Sequence, residues 1–210
     1  MEKSTRKVQM RTVESREKLL NASLKLFTEK GYYNTNTKEI AKVAGISVGN
    51  FYNYYKDKGD IYYELVEKYL DESKIAISDV LEHILENNLG EDEIIQFIVE
   101  YVDKQMERAI ISDRFFTDLQ VIAKDIENLS RILEEGNEQI VTILEEFLSK
   151  YPKVKKRASY KVMAMMSFTL ANKISTSVIV TKGTEVYREY LDEMIAIILY
   201  YIFGIEWRRV

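Results

Sequence analysis

From Ser47 to Lys58 the chain reads Ser-Val-Gly-Asn-Phe-Tyr-Asn-Tyr-Tyr-Lys-Asp-Lys, a run dense in hydrogen-bonding side chains. On a helix, Val48, Phe51 and Tyr55 fall on one apolar face, which leaves Asn50, Asn53 and Tyr54 pointing the other way. A carboxamide carries a donor and an acceptor side by side, the pattern adenine presents in the major groove of DNA, so this outward face suits base edges. Catalytic chemistry has much less to work with. The lone His83 sits in a helical pattern beside Glu82 and Glu86, an arrangement typical of a solvated face rather than an acid–base site. Without cysteine, and with a single histidine among scattered carboxylates, no zinc-ligand spacing exists, and no glycine-rich phosphate loop follows a strand. Neither a catalytic residue, a metal nor a cofactor is expected.

The elements that must position this face are legible just upstream. Asn36 is placed to cap a helix beginning at Thr37, with Glu39 three positions on completing a capping box. Ile40, Ala41 and Ala44 continue at helical spacing, and Gly45 can take the left-handed conformation that ends a helix. Ser47 then caps the next helix. Two helices separated by a turn of about 3–4 residues form a helix-turn-helix, whose second helix can enter the major groove.

Charge supports the same division of labour. The 210 residues carry a net charge of −4, yet residues 1–60 hold twelve Lys or Arg against seven Asp or Glu. The remainder holds eighteen against twenty-seven, so a basic end is attached to an acidic body. Exposed charges are screened beyond about 8–10 Å at ordinary salt, which lets the basic end meet phosphates locally.

The run Thr35, Glu39-Ile40-Ala41, Ala44-Gly45-Ile46-Ser47, Gly49, Phe51-Tyr52, Tyr54-Tyr55 and Lys58 resembles the amino-terminal domain of the tetracycline-repressor (TetR) family of bacterial transcription regulators. Leu19-Leu20, Ala22, Leu26-Phe27 and Gly31-Tyr32 are similar to that family's first helix. The resemblance implies DNA contacts at Thr37 and Lys38, at Ser47, Val48, Gly49, Asn50, Tyr52, Asn53 and Tyr54, and at Lys58. Their chemistry divides them: Asn50 and Asn53 suit adenine, Val48 a thymine methyl, and Gly49 a close backbone approach. Thr37, Tyr52, Tyr54 and Lys58 suit phosphate oxygens, which set register and affinity. Two positions depart from the family's pattern. Gly59 replaces a more usual acid, which would loosen the start of the following helix, and Asn50 replaces a small or hydroxyl residue, which would shift operator preference.

Taken in order, residues 1–11 are polar, basic and without periodicity, and are expected to form a mobile arm rather than a secretory signal. A first helix is expected over 13–30, with Leu19, Leu20, Ser23, Leu26 and Phe27 inward. Asp57 and Asp60 start a fourth helix, whose pattern extends toward residue 87 as one helix or two and ties the DNA-reading end to the rest. Further helices are expected from 91, through Phe115, Phe116, Leu119 and Ile122, over 126–151, 155–180 and 184–203. The longest apolar run, 194–205, falls short of the roughly 20 residues that span a bilayer. The fold class is therefore all-α: an arm over 1–12, a three-helix helix-turn-helix domain over 13–57, and a helical ligand-binding and dimerisation domain over 58–210.

The last two helices are more apolar than one-sided burial requires. On the second, Leu191, Met194, Ile195, Ile198, Leu199, Ile202 and Phe203 cover an arc broad enough to face both their own body and a second chain. In the TetR family the final two helices of each subunit form a four-helix dimer interface. A two-fold dimer would present recognition helices about 34 Å apart, matching a palindromic operator. A candidate effector pocket would be walled by Tyr62, Val66 and Tyr69, Phe97 and Tyr101, Phe115 and Phe116, Met163, Met166 and Leu170, with Asn172 as polar contact. Aromatic and methionine stripes at this spacing also serve plain packing. The implied function is a cytoplasmic, non-enzymatic repressor released by a small molecule, of apolar or aromatic character, that favours the wrong helix spacing. The alternative is an effector-independent DNA-organising or protein-docking factor with the same DNA-binding head.

Overall fold

The computed structural model describes residues 2–87, 89–111, 115, 119–181 and 186–208; of 2–11, 105–111, 120 and 174–181 it describes the backbone alone. Among these residues every regular element is a helix, as the all-α reading requires. They are α1 (Glu2–Lys30), α2 (Thr37–Ala44), α3 (Val48–Phe51), α4 (Lys58–Asn87), α5 (Glu91–Ile111), α6 (Leu119–Ile122), α7 (Leu129–Lys150), α8 (Tyr160–Thr181) and α9 (Val186–Phe203). None is long and apolar enough to cross a membrane. Residues 58–87 form one helix rather than two. The breaks expected at Ser112-Asp113 and Lys182-Gly183 lie outside the described residues, as does Phe116.

The first helix departs from expectation by starting at Glu2 rather than at residue 13. Residues 2–11 contain Glu, Lys, Arg, Gln and Met but neither glycine nor proline, so intrinsic propensity extends the helix where no apolar stripe demands it.

The chain packs as two units. One comprises Met1–Tyr69 and Ser112–Ile132, the other Leu70–Ile111 and Leu133–Val210. The first packing unit is thus larger than the reading head delimited at 13–57. Its core is built from Leu19, Leu20, Leu26 and Phe27 of α1, Ile40 and Ala41 of α2, Phe51, Tyr55, and Ile61, Tyr62 and Val66 of α4, all buried. Phe27 meets the edge of Tyr62 at 5.4 Å, and Tyr62 lies 4.6 Å from Phe115 while its hydroxyl donates to the Phe115 carbonyl at 2.7 Å. Polar ties close the outside: the Arg16 guanidinium reaches Glu64 at 2.7 Å and donates to the Tyr55 hydroxyl, and the Tyr33 hydroxyl donates to Asp125 at 2.6 Å.

The second unit gathers Ile84, Ile94, Ile98, Phe147, Leu148, Tyr151, Met163, Leu191, Met194, Ile195, Leu199, Ile202 and Phe203 into one core. Most of the apolar arc expected to be shared with a second chain is thereby consumed inside this one. What α9 leaves exposed is a different stripe, Val186, Tyr190, Ile197 and Tyr200, and α8 exposes Val162, Met165 and Met166 at i, i+3, i+4 spacing. Gly204, at φ 73°, ends α9, whose last carbonyls are taken by the Lys155 amide and the Arg157 guanidinium.

Candidate nucleic-acid interface

The turn between α2 and α3 is built by local chemistry. Asn36, in extended conformation, accepts the Glu39 amide through Oδ1 at 3.0 Å. Glu39 does not complete the box as its main role. Its carboxylate takes the Lys30 ammonium at 2.9 Å, and that bond, with a lesser share from the Asn36 amide, holds it below the usual carboxylate range. At the other end Gly45 has φ 68°; its N–H donates to Lys42 O at 3.2 Å and the Ile46 N–H to Ala41 O at 2.9 Å. This is the Schellman pattern, open to glycine because it has no Cβ.

Ser47 then accepts the Asn50 amide through Oγ at 3.2 Å and opens α3, a single turn. Bonds from Asn53 N to Asn50 O and from Tyr54 N and Tyr55 N to Phe51 O, between 3.0 and 3.2 Å, carry the coiling on to Tyr55. Fully buried Phe51 and nearly buried Tyr55 anchor the segment from behind. Around them Gly49, Tyr52 and Asn53 are exposed, and Val48, Asn50 and Tyr54 are half-buried. No atom lies within 4 Å of where a Cβ on Gly49 would sit, so nothing in the protein itself asks for glycine there.

Two links across this surface were not visible in the sequence. The hydroxyls of Thr37 and Tyr52 lie 3.3 Å apart, joining the start of α2 to the recognition segment, while Tyr52 rests edge-on against Phe51 at 5.4 Å. Asn53 Nδ2 donates to Asn50 Oδ1 at 3.0 Å. Lys38 is exposed beside Thr37. Sequence reasoning also passed over an open groove of about 350 Å³ lined by Lys18, Asn21, Ala22, Lys25, Val43 and Ala44. Its signal was the seven-residue spacing of Lys18 and Lys25 on one face of α1.

Lys58, expected to suit a phosphate oxygen, has partners within the protein. Its ammonium donates to the carbonyls of Tyr32 at 2.8 Å and Thr35 at 2.9 Å and lies 4.3 Å from the centre of the Tyr32 ring. Burial pushes its pKa down. It clips the loop between α1 and α2 onto the start of α4. The Tyr32 phenol beneath it is pushed up to about 12, first by burial and then by Asp57, Tyr33 and Asp125. Burial also drives the Tyr55 phenol upward, opposed by the Arg16 guanidinium.

The start of α4 at Gly59 is capped rather than loose. Its N–H donates to Asp57 Oδ1 at 2.7 Å, the Asp60 N–H donates to the same oxygen at 3.1 Å, and Asp60 in turn accepts the Lys56 amide at 2.8 Å. A Cβ on Gly59 would meet Asp57 Oδ1 at 2.9 Å, so a side chain here obliges the Asp57 carboxylate to shift.

The residues nominated for an effector pocket divide between the two packing units. Tyr62, Val66 and Phe115 are buried in the first, where the Tyr62 hydroxyl already has a partner, and Tyr69 is 44% exposed. In the second, Met163 is buried, Phe97 stacks on His83 at 4.5 Å, Tyr101 and Leu170 are half-buried, and Asn172 is exposed. Met166, 57% exposed, lies on the outer stripe of α8. The face of α8 that a side chain occupies follows from the helix's packing partner, which spacing alone does not reveal.

A three-helix head with a tight glycine turn and a short polar second helix places this chain among the helix-turn-helix proteins. Residues 19–65 match the model of the bacterial regulatory proteins of the tetR family. The chain is 32% identical over 104 residues to the HTH-type transcriptional regulator AcrR of Shigella flexneri, covering 41% of this chain and 47% of that protein. It is 41% identical over 58 residues to the HTH-type transcriptional regulator HbdR of an Aromatoleum strain, covering 28% and 25%. The chain thus spans less than half the length of these relatives. The fold extends further. A crystal structure of a tetR-family regulator from Mesorhizobium loti superposes with a TM-score of 0.70 at 16% identity, covering 92% of this chain and 98% of that one. The reduced form of NemR from Escherichia coli does so with a TM-score of 0.70 at 16% identity, covering 90% and 97%. Residues 19–65 thus carry the amino-terminal domain of the tetR family, and the fold of the chain is that of solved tetR-family regulators.

Proposed function

We propose that the protein is a homodimeric, cytoplasmic transcriptional regulator that represses from a palindromic operator and is released by a small-molecule effector. The observation that carries this reading is the recognition segment: a polar outer face of Asn50, Tyr52, Asn53 and Tyr54 on an apolar anchor of Phe51 and Tyr55, inside the stretch that matches the family. Asn53, Val48 and Gly49 meet the base edges, with Asn50 beside them. Ser47, Thr37, Lys38, Tyr52 and Tyr54 meet the backbone, with Lys58 holding the loop beside them.

The exposed apolar stripes of α8 and α9 support dimerisation through the last two helices. Val162, Met165 and Met166 on one and Val186, Tyr190, Ile197 and Tyr200 on the other make an apolar surface that two-fold pairing would remove from water. Effector control is supported by structural neighbours that hold small molecules: SmeT is in a complex with triclosan, and FadR of Thermus thermophilus, a repressor, is in complex with lauroyl-CoA. In this chain Phe97, Tyr101, Met163 and Leu170 of the second unit are the side chains offered to such a molecule. The effector acts as a population shift, lowering operator affinity by its differential affinity for two dimer states and by no more.

The test is selection of genomic fragments by purified protein at roughly 150 mM salt, where the non-specific phosphate attraction is suppressed. Enrichment of one or a few palindromic sites beside promoters is the expected result. Large numbers of scattered sites would favour a DNA-organising factor, and no enrichment would overturn the reading.

A further inference from the structure

We propose that Asn50 and Asn53 read DNA as one coupled unit, in which Asn53 makes the base contact and Asn50 is a positioning residue that holds it. The inference rests on the DNA-reading role of the recognition segment and assigns the labour within it.

Two bonds join the same pair of residues. The Asn53 amide N–H donates to Asn50 O at 3.2 Å, and Asn53 Nδ2 donates to Asn50 Oδ1 at 3.0 Å. Asn50 is itself pinned, its N–H shared between Ser47 Oγ at 3.2 Å and Ser47 O at 3.0 Å. Ser47, Asn50 and Asn53 therefore form a rail at three-residue spacing that runs from the helix cap to the exposed end. Burial falls along it: Asn50 is half-buried and Asn53 exposed. A carboxamide has two N–H donors and one carbonyl. With one N–H given to Asn50, Asn53 keeps an N–H and its carbonyl, the pair that adenine N7 and N6 require. Asn50 has one lone pair of its oxygen engaged by Asn53 and sits deeper, half-buried, so it reaches a base less readily than the exposed Asn53. A side chain ordered before DNA arrives also loses less freedom on binding.

The test is selection from a randomised DNA library, followed by binding titrations on the wild-type consensus, for wild type, Asn50→Ala, Asn53→Ala, the double variant, Asn50→Asp and Asn53→Asp, with melting curves verifying that each is folded. Asn50→Ala and Asn53→Ala should lose preference at the same base pair, by roughly tenfold in discrimination. The double variant should be no worse than either single, the mark of a coupled pair. Asn50→Asp keeps the acceptor, so it should retain that preference while its added negative charge weakens binding to every sequence. Asn53→Asp loses the donor and should lose the preference. Losses at different base pairs, additive effects in the double variant, loss of preference in Asn50→Asp or its retention in Asn53→Asp would each overturn the assignment. Failure of wild type to enrich any sequence would instead overturn the DNA-reading role beneath it.

Discussion

Replacing Lys58 with methionine keeps the length and apolar stem of the side chain and removes only the ammonium. That ammonium donates to two carbonyls, and a hydrogen bond from a charged group contributes about 1.5–3 kcal/mol. The two bonds do not count equally. Thr35 is 2% exposed, so water has little access to its carbonyl, whereas half-buried Tyr32 can recover a water partner. Loss of the cation above the Tyr32 ring removes about 0.5–1 kcal/mol more, and the new thioether returns part of it. Relief of the ammonium's desolvation, evident in its lowered pKa, offsets a further part. The net expectation is a loss of about 2 kcal/mol, or roughly 4–8 °C in melting temperature for a chain of this size. Calorimetry of Lys58→Met gives the stability, and operator titrations from low to high salt give the number of phosphate contacts. A loop clip predicts a lower melting temperature with an unchanged salt slope. A variant that melts with the wild type while its salt slope falls by about one would show a phosphate contact and refute the clip.

Three further outcomes are expected. Gly59→Ala drives a methyl against Asp57 Oδ1 and displaces the α4 cap, which costs about 1 kcal/mol; calorimetry showing an unchanged or raised melting temperature would count against the cap. The Tyr32 phenol binds its proton more tightly folded, at about 12, than at its ordinary 10, so its contribution to stability is complete below pH 10 and is lost as pH rises toward 12. Alkaline melting curves of wild type and Tyr32→Phe should therefore converge in shape below pH 10 and diverge above it, the phenylalanine variant losing less. Met165→Asp with Ile197→Asp puts charge on both exposed stripes; light scattering should find monomer in place of dimer, with the helical content retained.

What could be read in the sequence was whatever short-range chemistry decides. Asn36, Gly45 and Ser47 each act on amides or carbonyls within a few residues, so their roles as caps could be read directly, as could the burial of Phe51 and Tyr55 from helical spacing. The carbonyl partners of Lys58 could not be read because Tyr32 and Thr35 lie 26 and 23 residues upstream, and only the closed loop brings their carbonyls to it. The same reason applies to Gly59, whose role depends on where the Asp57 carboxylate turns. On α8, spacing identified a stripe but not its destination: Met163 went inward and Met166 outward. The start of α1 escaped because residues 2–11 carry helix-forming side chains without an apolar pattern to reveal them.

The recognition helix is one turn long, too short to hold itself together, and it keeps its shape through the Ser47 cap in front and Phe51 and Tyr55 behind. Shape and message are thus entrusted to different residues of the same dozen. Gly49 and Asn53 are exposed and can be exchanged without touching the anchors, so the proposed operator preference could move by a few surface substitutions while the fold stays where it was. Retargeting is, for this architecture, a smaller evolutionary step than refolding.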